Sequence, residues 1–326
     1  MRNRLVFKIF AVAALLLMVV STTACKKKKA DSNVTVRIAI QPSAAFIPLY
    51  VARYSGLIED ALTPQKVNVV WQDFESGPPM NASLAAELSD IGVIGDVPTV
   101  IALSGATRMK LVGIPASGPD AYAMLARKDD TTFMSWKDLK GKRIATVFGS
   151  TGHNFTKKLL EKAGLSFEDI EFFNITASDA ADLLMSNAVD AVVIWEPNVT
   201  RMIDRGIAKI VALGSETDLR GTNGFVVREE FLASNLGIIK EILVQYEKAV
   251  SMLPNLDDET LSKLSAALSL TNEQIKSIIP KYDFSVAVTN DDVKALQDTI
   301  RFLVSINNLS SEYRVENYVP KDFATK

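Results

Sequence analysis

An α/β fold in two lobes is what the sequence predicts. Short apolar segments alternate with amphipathic helical stretches from Val34 onward, and the alternation restarts with fresh capping signals near Ser135. A last isolated strand, Phe225 to Val227, follows the second unit, so the chain is expected to leave its first lobe, build a second and return. Length agrees, since 326 residues exceed the roughly 100–200 that one domain usually holds.

The N-terminus reads as targeting. Arg2, Arg4 and Lys8 precede an apolar run from Ile9 to Val20, and the small residues Ser21 to Ala24 lead to Cys25. The run is shorter than the roughly 20 residues a transmembrane helix needs, so residues 1–24 are expected to be a removable signal peptide. Cys25 is the single cysteine, which excludes an internal disulfide and a cysteine-rich metal site. Thr22-Thr23-Ala24-Cys25 resembles a bacterial lipobox, which implies an acylated Cys25 holding the chain to a lipid membrane; plain cleavage after Ala24 is the alternative. Lys26 to Lys29 open a solvated tether over residues 25–33.

From there the pattern gives strand Val34–Ile40, a helix closed by Gly56, strand Val67–Asp73, helix Met80–Leu88 and strand Ile91–Gly95. The second unit opens on Ser135, whose spacing to Asp138 fits a capping box. It continues with strand Arg143–Val147, helix His153–Ala163, strand Ile170–Phe173, helix Ala177–Ser186 and strand Ala191–Ile194. Helices are expected over 229–252, 258–268, 272–278 and 291–307. No internal sequence repeat is evident beyond the alternation itself.

A hydrophobic share of 48% against 23% charged residues marks a globular chain with ample core material. The net charge of −2 argues against nucleic acid as a partner, because bulk phosphate binding needs a strongly positive field. Recognition must therefore be local, and four strand-to-helix junctions offer it. In the first, Gly77 and Pro78 turn the chain into a helix whose opening amides are free to meet an anion, although they could simply shape the turn. In the second, Gly95 precedes Asp96, which is expected as an N-cap with Pro98 in the first turn. The third, Gly149-Ser150-Thr151-Gly152-His153, gathers flexible backbone, two hydroxyls and a helix start. It lacks the lysine and spacing of a P-loop, and His153, the single histidine, excludes a histidine-only metal site. The fourth ends a strand in Trp195 and Glu196. Trp195 would wall a ligand or pack in the core; Glu196 would recognise an amine or help close the lobes.

As an ordered set, the Trp71-to-Pro78 run, Gly95-Asp96-Val97-Pro98, Asp138-to-Lys142, Gly149-Ser150-Thr151 with His153, and Val189-to-Pro197 resemble the solute-binding proteins of importers for aliphatic sulfonates, taurine and nitrate, the aliphatic-sulfonate branch most of all. The resemblance runs from about Val34 to Leu232. It implies a two-lobed periplasmic-binding-protein-like clamshell of type II, with residues 34–116 and 222–326 as lobe one and 117–221 as lobe two. It further implies a binding protein without enzymatic activity, cofactor or metal, expected as a monomer in the cell envelope, facing the periplasm or exterior and delivering a small organic anion to an ABC transporter permease. Gln41 joins the expected ligand set through this resemblance. The chain departs from the family in Asp60-Ala61-Leu62-Thr63-Pro64, where a glycine turn is common, and in Glu196, where aspartate is common.

The rival solutes are taurine, nitrate or a thiamine precursor, and a sensor lipoprotein of the same fold is a further alternative. Enzymes of the same broad fold, a pyrimidine synthase for thiamine and a deaminase with a cysteine-held cofactor, would need cysteines that the region beyond Cys25 lacks.

Overall fold

Each lobe is organised by a parallel pair of strands tied together by an arginine and an aspartate. The computed structural model describes residues 33–323; the expected signal peptide, Cys25 and most of the expected tether lie outside them. Strand β1 (Val34–Ile40) leads through α1 (Ile47–Tyr54) and α2 (Leu57–Leu62) to β2 (Val67–Asp73), then through α3 (Gly77–Ala85) to β3 (Ile91–Gly95). Helix α4 (Asp96–Ser104), β4 (Met109–Gly113) and the two-residue β5 (Ala116–Ser117) complete the outward path. The second unit runs β6 (Tyr122–Arg127), β7 (Arg143–Thr146), α5 (Thr151–Ala163), β8 (Glu171–Asn174), α6 (Ala180–Met185), β9 (Ala191–Trp195), α7 (Asn198–Asp204) and β10 (Ala208–Leu213). The chain returns through β11 (Asn223–Arg228), α8 (Glu229–Ser234), α9 (Leu236–Met252), α10 (Asp258–Leu268), α11 (Asn272–Ile278), β12 (Asp283–Phe284) and α12 (Asn290–Ser305).

Two mixed five-stranded sheets result, in the orders β2-β1-β3-β11-β4 and β10-β6-β9-β7-β8. Read from the opposite edge, the second repeats the first: β1 and β3 are parallel, as are β7 and β9, and an antiparallel strand, β11 or β6, lies beside each pair. The side chains repeat it too. The Arg37 amide and guanidinium both donate to Asp90, 2.9 and 2.8 Å away, and the Arg143 amide and guanidinium donate to Asp190 at 2.8 and 2.7 Å. Each aspartate amide in turn donates to the carbonyl of its arginine. The sequence carries no repeat that announces this symmetry.

Asp90 is the more deeply sequestered of the two, its side chain 2% exposed, and Arg228 on the returning strand donates to it as well at 2.8 Å. Burial alone would raise its carboxyl, but the three-way pairing with Arg37 and Arg228 holds it below the usual carboxylate value. A buried charge of this kind is costly to strip of its partners, about 3–5 kcal/mol. It fixes β1, β3 and β11 in one register.

Several elements match the sequence reading to the residue: β1, β2, β3, α10 and α11. The capping box at Ser135 and Asp138 forms as expected, on a short 3-10 turn. Helix α3 starts three residues earlier than the pattern suggested, because Pro78 and Pro79 sit in its first turn, where no amide donor is needed. The expected helix over 229–252 is two helices. Asn235 breaks it with φ −137° and ψ 34°, and its side-chain amide donates to the Phe231 carbonyl at 3.0 Å. Strands β4, β6 and β10 are absent from the sequence reading. Among the described residues no helix is long and apolar enough to cross a membrane.

Candidate ligand-binding site

The chain passes between the sheets next to β5 and β11, and the carboxyl ends of the parallel strands of the two sheets face each other there. Open α/β sheets bind ligands at such ends, where the chain turns into helices and leaves amides unpaired. Three helices open onto one chamber: α3 after Ser76, α4 after Gly95 and α5 after Ser150. Their aligned dipoles give the space a positive potential without a formal cation, while Pro78, Pro79 and Pro98 remove amide donors from the first turns of α3 and α4.

Gln41, Gly77, Gly95, Ser150, Thr151 and Trp195, all expected from sequence, line the chamber. Ser43, Pro98, Tyr122 and Asn223 line it as well. None of these ten residues is charged. Ser150 caps α5, accepting from the Gly152 amide at 3.1 Å while its hydroxyl donates to the Val147 carbonyl at 2.6 Å. Burial pushes the Tyr122 phenol well up, against the pull of hydrogen bonds with Thr151 and Asn223, so it stays a neutral donor. Gln41 is 7% exposed, and its buried side-chain oxygen has no partner among the described residues. An unpaired buried amide oxygen costs about 1–3 kcal/mol, which marks Gln41 as a group built to meet something in the chamber.

The other expected ligand residues lie elsewhere. Asp96 is the first residue of α4 rather than its N-cap; that place falls to Gly95. Its buried carboxylate accepts from the Val97 amide at 2.7 Å, from Asn154 at 2.8 Å and from Thr299 at 3.0 Å, which ties α4 to α5 and α12 and leaves no oxygen for the chamber. Glu196 is fully buried and accepts from the Thr200 amide and hydroxyl at 3.0 and 2.9 Å and from Lys281 at 2.5 Å. Lys281 belongs to the returning segment, so the Glu196 carboxylate joins the end of β9 to that segment rather than facing the chamber. Pro78 and Gly149 stand outside the lining, facing each other: a Cβ on Gly149 would lie 3.7 Å from Pro78 Cγ. His153 is half-buried among Phe148, Phe172, Phe167 and Phe302, with ring centroids 4.9 to 5.4 Å away. Burial pushes its imidazole down to about 4, and its Nδ1 accepts from the Gly149 amide at 3.4 Å.

Tyr122 and Asn223 escaped the sequence reading for a shared reason. Each opens an antiparallel strand, and register alone brings them to the chamber: Tyr122 lies opposite Trp195, and Asn223 opposite Gly95. For Asn223 the turn Gly221-Thr222-Asn223-Gly224 was a local signal; Tyr122 has none.

The lobes are shut in this structure. The chamber measures about 20 Å³, room for a single water and too small for any organic anion, so a solute enters only when the lobes part. Gly95 is what permits so close an approach, because a Cβ there would stand 2.5 Å from Thr151 Oγ1 across the cleft. Ser178, which donates to Glu75 at 2.8 Å, and Gln274, which donates to Asp204 at 2.6 Å, fasten the rims.

A two-lobed α/β chain with a mixed five-stranded sheet in each lobe has the periplasmic-binding-protein fold. The chain belongs within it to the NMT1/THI5-like family, whose pattern it matches over residues 44–259. It is 29% identical over 244 residues to a Bacillus subtilis (strain 168) protein named for binding aliphatic sulfonates, an alignment covering 75% of this chain and 73% of that one. An Escherichia coli (strain K12) protein named in the same way is 26% identical over 249 residues, 76% of each chain. In fold, the chain superposes on the alkanesulfonate-binding protein of Xanthomonas axonopodis pv. citri bound to MOPS with a TM-score of 0.79, at 23% identity, covering 89% of this chain and 99% of that one.

Two expectations follow from this geometry. Gly95→Ala should leave far-UV circular dichroism unchanged yet weaken solute binding at least about tenfold, read by calorimetry, because the added methyl wedges the cleft open against Thr151. Wild-type affinity in that variant would mean the lobes need not close this far. His153 should make stability fall on acidification. With the folded value near 4 and the unfolded value near 6.5, the unfolded chain binds the extra proton between those limits, so stability is complete above about pH 6.5 and declines toward pH 4, by up to about 3 kcal/mol. The melting temperature of His153→Phe, which keeps an aromatic ring in the cluster, should drop less steeply over that window; parallel profiles would refute the assignment.

Proposed function

We propose that this chain is the solute-binding component of an ABC importer and that its solute is a small organic anion, an aliphatic sulfonate. One observation carries the reading: three helix starts and a set of neutral donors converge on a single chamber between the lobes, with no charged side chain in its lining. Backbone amides and hydroxyls suit a strong-acid anion, which stays ionised and accepts several hydrogen bonds from one head group. A formal cation would be the better partner for a weakly held carboxylate, and a carboxylate in the lining would be needed for an amine. The names of the Bacillus subtilis and Escherichia coli relatives support a sulfonate, as does the MOPS bound to the Xanthomonas protein, itself a sulfonate.

In this reading residues 34–116 and 222–326 form the first lobe and 117–221 the second, closing as a hinge around the solute. The head group sits at Gly77, Gly95, Ser150 and Thr151, with Tyr122 and the side-chain N–H of Gln41 as further donors and Trp195 beside the tail. The closed chain, a monomer tethered by acylated Cys25, then presents the solute to a permease.

Thermal-shift screening of alkanesulfonates, taurine, nitrate and thiamine precursors tests the solute, since a ligand at about a hundred times its Kd adds about 2.7 kcal/mol to the folded state. Sulfonates should raise the melting temperature, and Thr151→Ala or Ser150→Ala should weaken their binding by about 1–3 kcal/mol in calorimetry. Stabilisation by neutral or cationic compounds alone, with sulfonates silent at millimolar concentration, would overturn the anion reading. For the anchor, Cys25→Ala should move the protein from the membrane to the soluble fraction of cells; a variant that still sediments with membranes refutes acylation.

A further inference from the structure

Beyond Trp195 lies a second and larger space, about 310 Å³, on the outer side of the same cleft. Trp195 lines both, so the outer space is the place open to the far end of a molecule whose head occupies the inner chamber and whose chain passes the indole. The outer space differs in its chemistry. Arg201 and Arg205, one turn apart on and just beyond α7, line it, and neither forms an ion pair among the described residues.

Arg201 is the informative one. Its guanidinium is half-buried and donates to Asn198 Oδ1 at 2.6 Å, which uses one of its five donors. Burial lowers its pKa, with Glu196 opposing that from a distance, but the Glu196 oxygens are already taken by Thr200 and Lys281. A partly desolvated guanidinium with no carboxylate of its own is a site made for an incoming anion or strong acceptor. Glu75, on the facing wall and bonded to Ser178, would repel a negative group placed midway, so the anion belongs on the arginine side.

We propose that the outer space is a second anion subsite, and that the solute is a sulfonate whose far end carries another negatively charged group, such as a carboxylate, received by Arg201 with Arg205 assisting. This rests on the sulfonate reading above and narrows it. Arg205 is exposed, so its contribution is screened by solvent and salt and is the smaller of the two.

The test uses two ligand series on the intact protein, alkanesulfonates of increasing chain length and the same chains ending in a carboxylate, with Kd measured by calorimetry. At one or more lengths the carboxylated compound should bind about tenfold tighter than its parent, with a steeper loss on adding salt. Arg201→Gln should abolish that gain while leaving the parent alkanesulfonate within about twofold, and Arg201→Lys should keep part of it. If no carboxylated chain outperforms its parent, or if the gain survives Arg201→Gln, the second subsite is refuted and the sulfonate reading stands. If neither series binds, the sulfonate reading fails and this inference fails with it.

Discussion

The whole arrangement depends on three helix starts, those of α3, α4 and α5, meeting at one chamber. A parallel strand that turns into a helix leaves its first-turn donors without intrahelical partners, and these must find another acceptor or water. Two such rims, facing each other across the chamber, make a space that attracts negative charge before any side chain is considered. The side chains refine that field. Tyr122 held neutral, Gln41 with an unpaired oxygen and the capped hydroxyl of Ser150 add orientation without adding charge.

The contacts that close the cleft are of a different kind and sit around the chamber rather than in it. Asp96 holds Asn154 and Thr299, Glu196 holds Lys281, and Glu75 takes a bond from Ser178. Two of these carboxylates are buried and fully bonded, so they contribute geometry while keeping negative charge out of the lining. A clamshell of this type works only if its open and shut forms differ by a few kcal/mol, a gap that the differential contacts of a solute can overcome. A handful of polar bridges between the lobes, in place of a continuous apolar interface, is suited to such a balance.

The two lobes solve the same folding problem with the same devices. In each, an arginine of the leading strand clamps an aspartate just ahead of its parallel neighbour, and in each the antiparallel strand beside that pair opens on a residue that lines the chamber, Asn223 or Tyr122. The likeness is one of hydrogen-bond geometry. Because only the clamp and the alternation need to persist, the intervening residues have no reason to match, and the chain shows no repeat to the eye.

The sequence by itself determined the elements that carry strong local signals. The periodicity of Val34–Ile40, Val67–Asp73 and Ile91–Gly95, the cap at Ser135 and the glycine-bearing junctions at Gly77, Gly95 and Ser150 depend on near neighbours, and those elements stand where they were read. The strand-to-helix junctions located five of the chamber's lining residues, Gly77, Gly95, Ser150, Thr151 and Trp195, and the family resemblance added Gln41. Only the tertiary structure decided the rest, because it was a matter of register and of which side of a helix start a side chain takes. Tyr122 and Asn223 reach the chamber through antiparallel pairing with strands far away in the chain. Asp96 and Glu196, adjacent in sequence to lining residues, turn instead into buried bonds, since a carboxylate beside three helix starts is more stable when donors on α5, α12 or the returning segment enclose it.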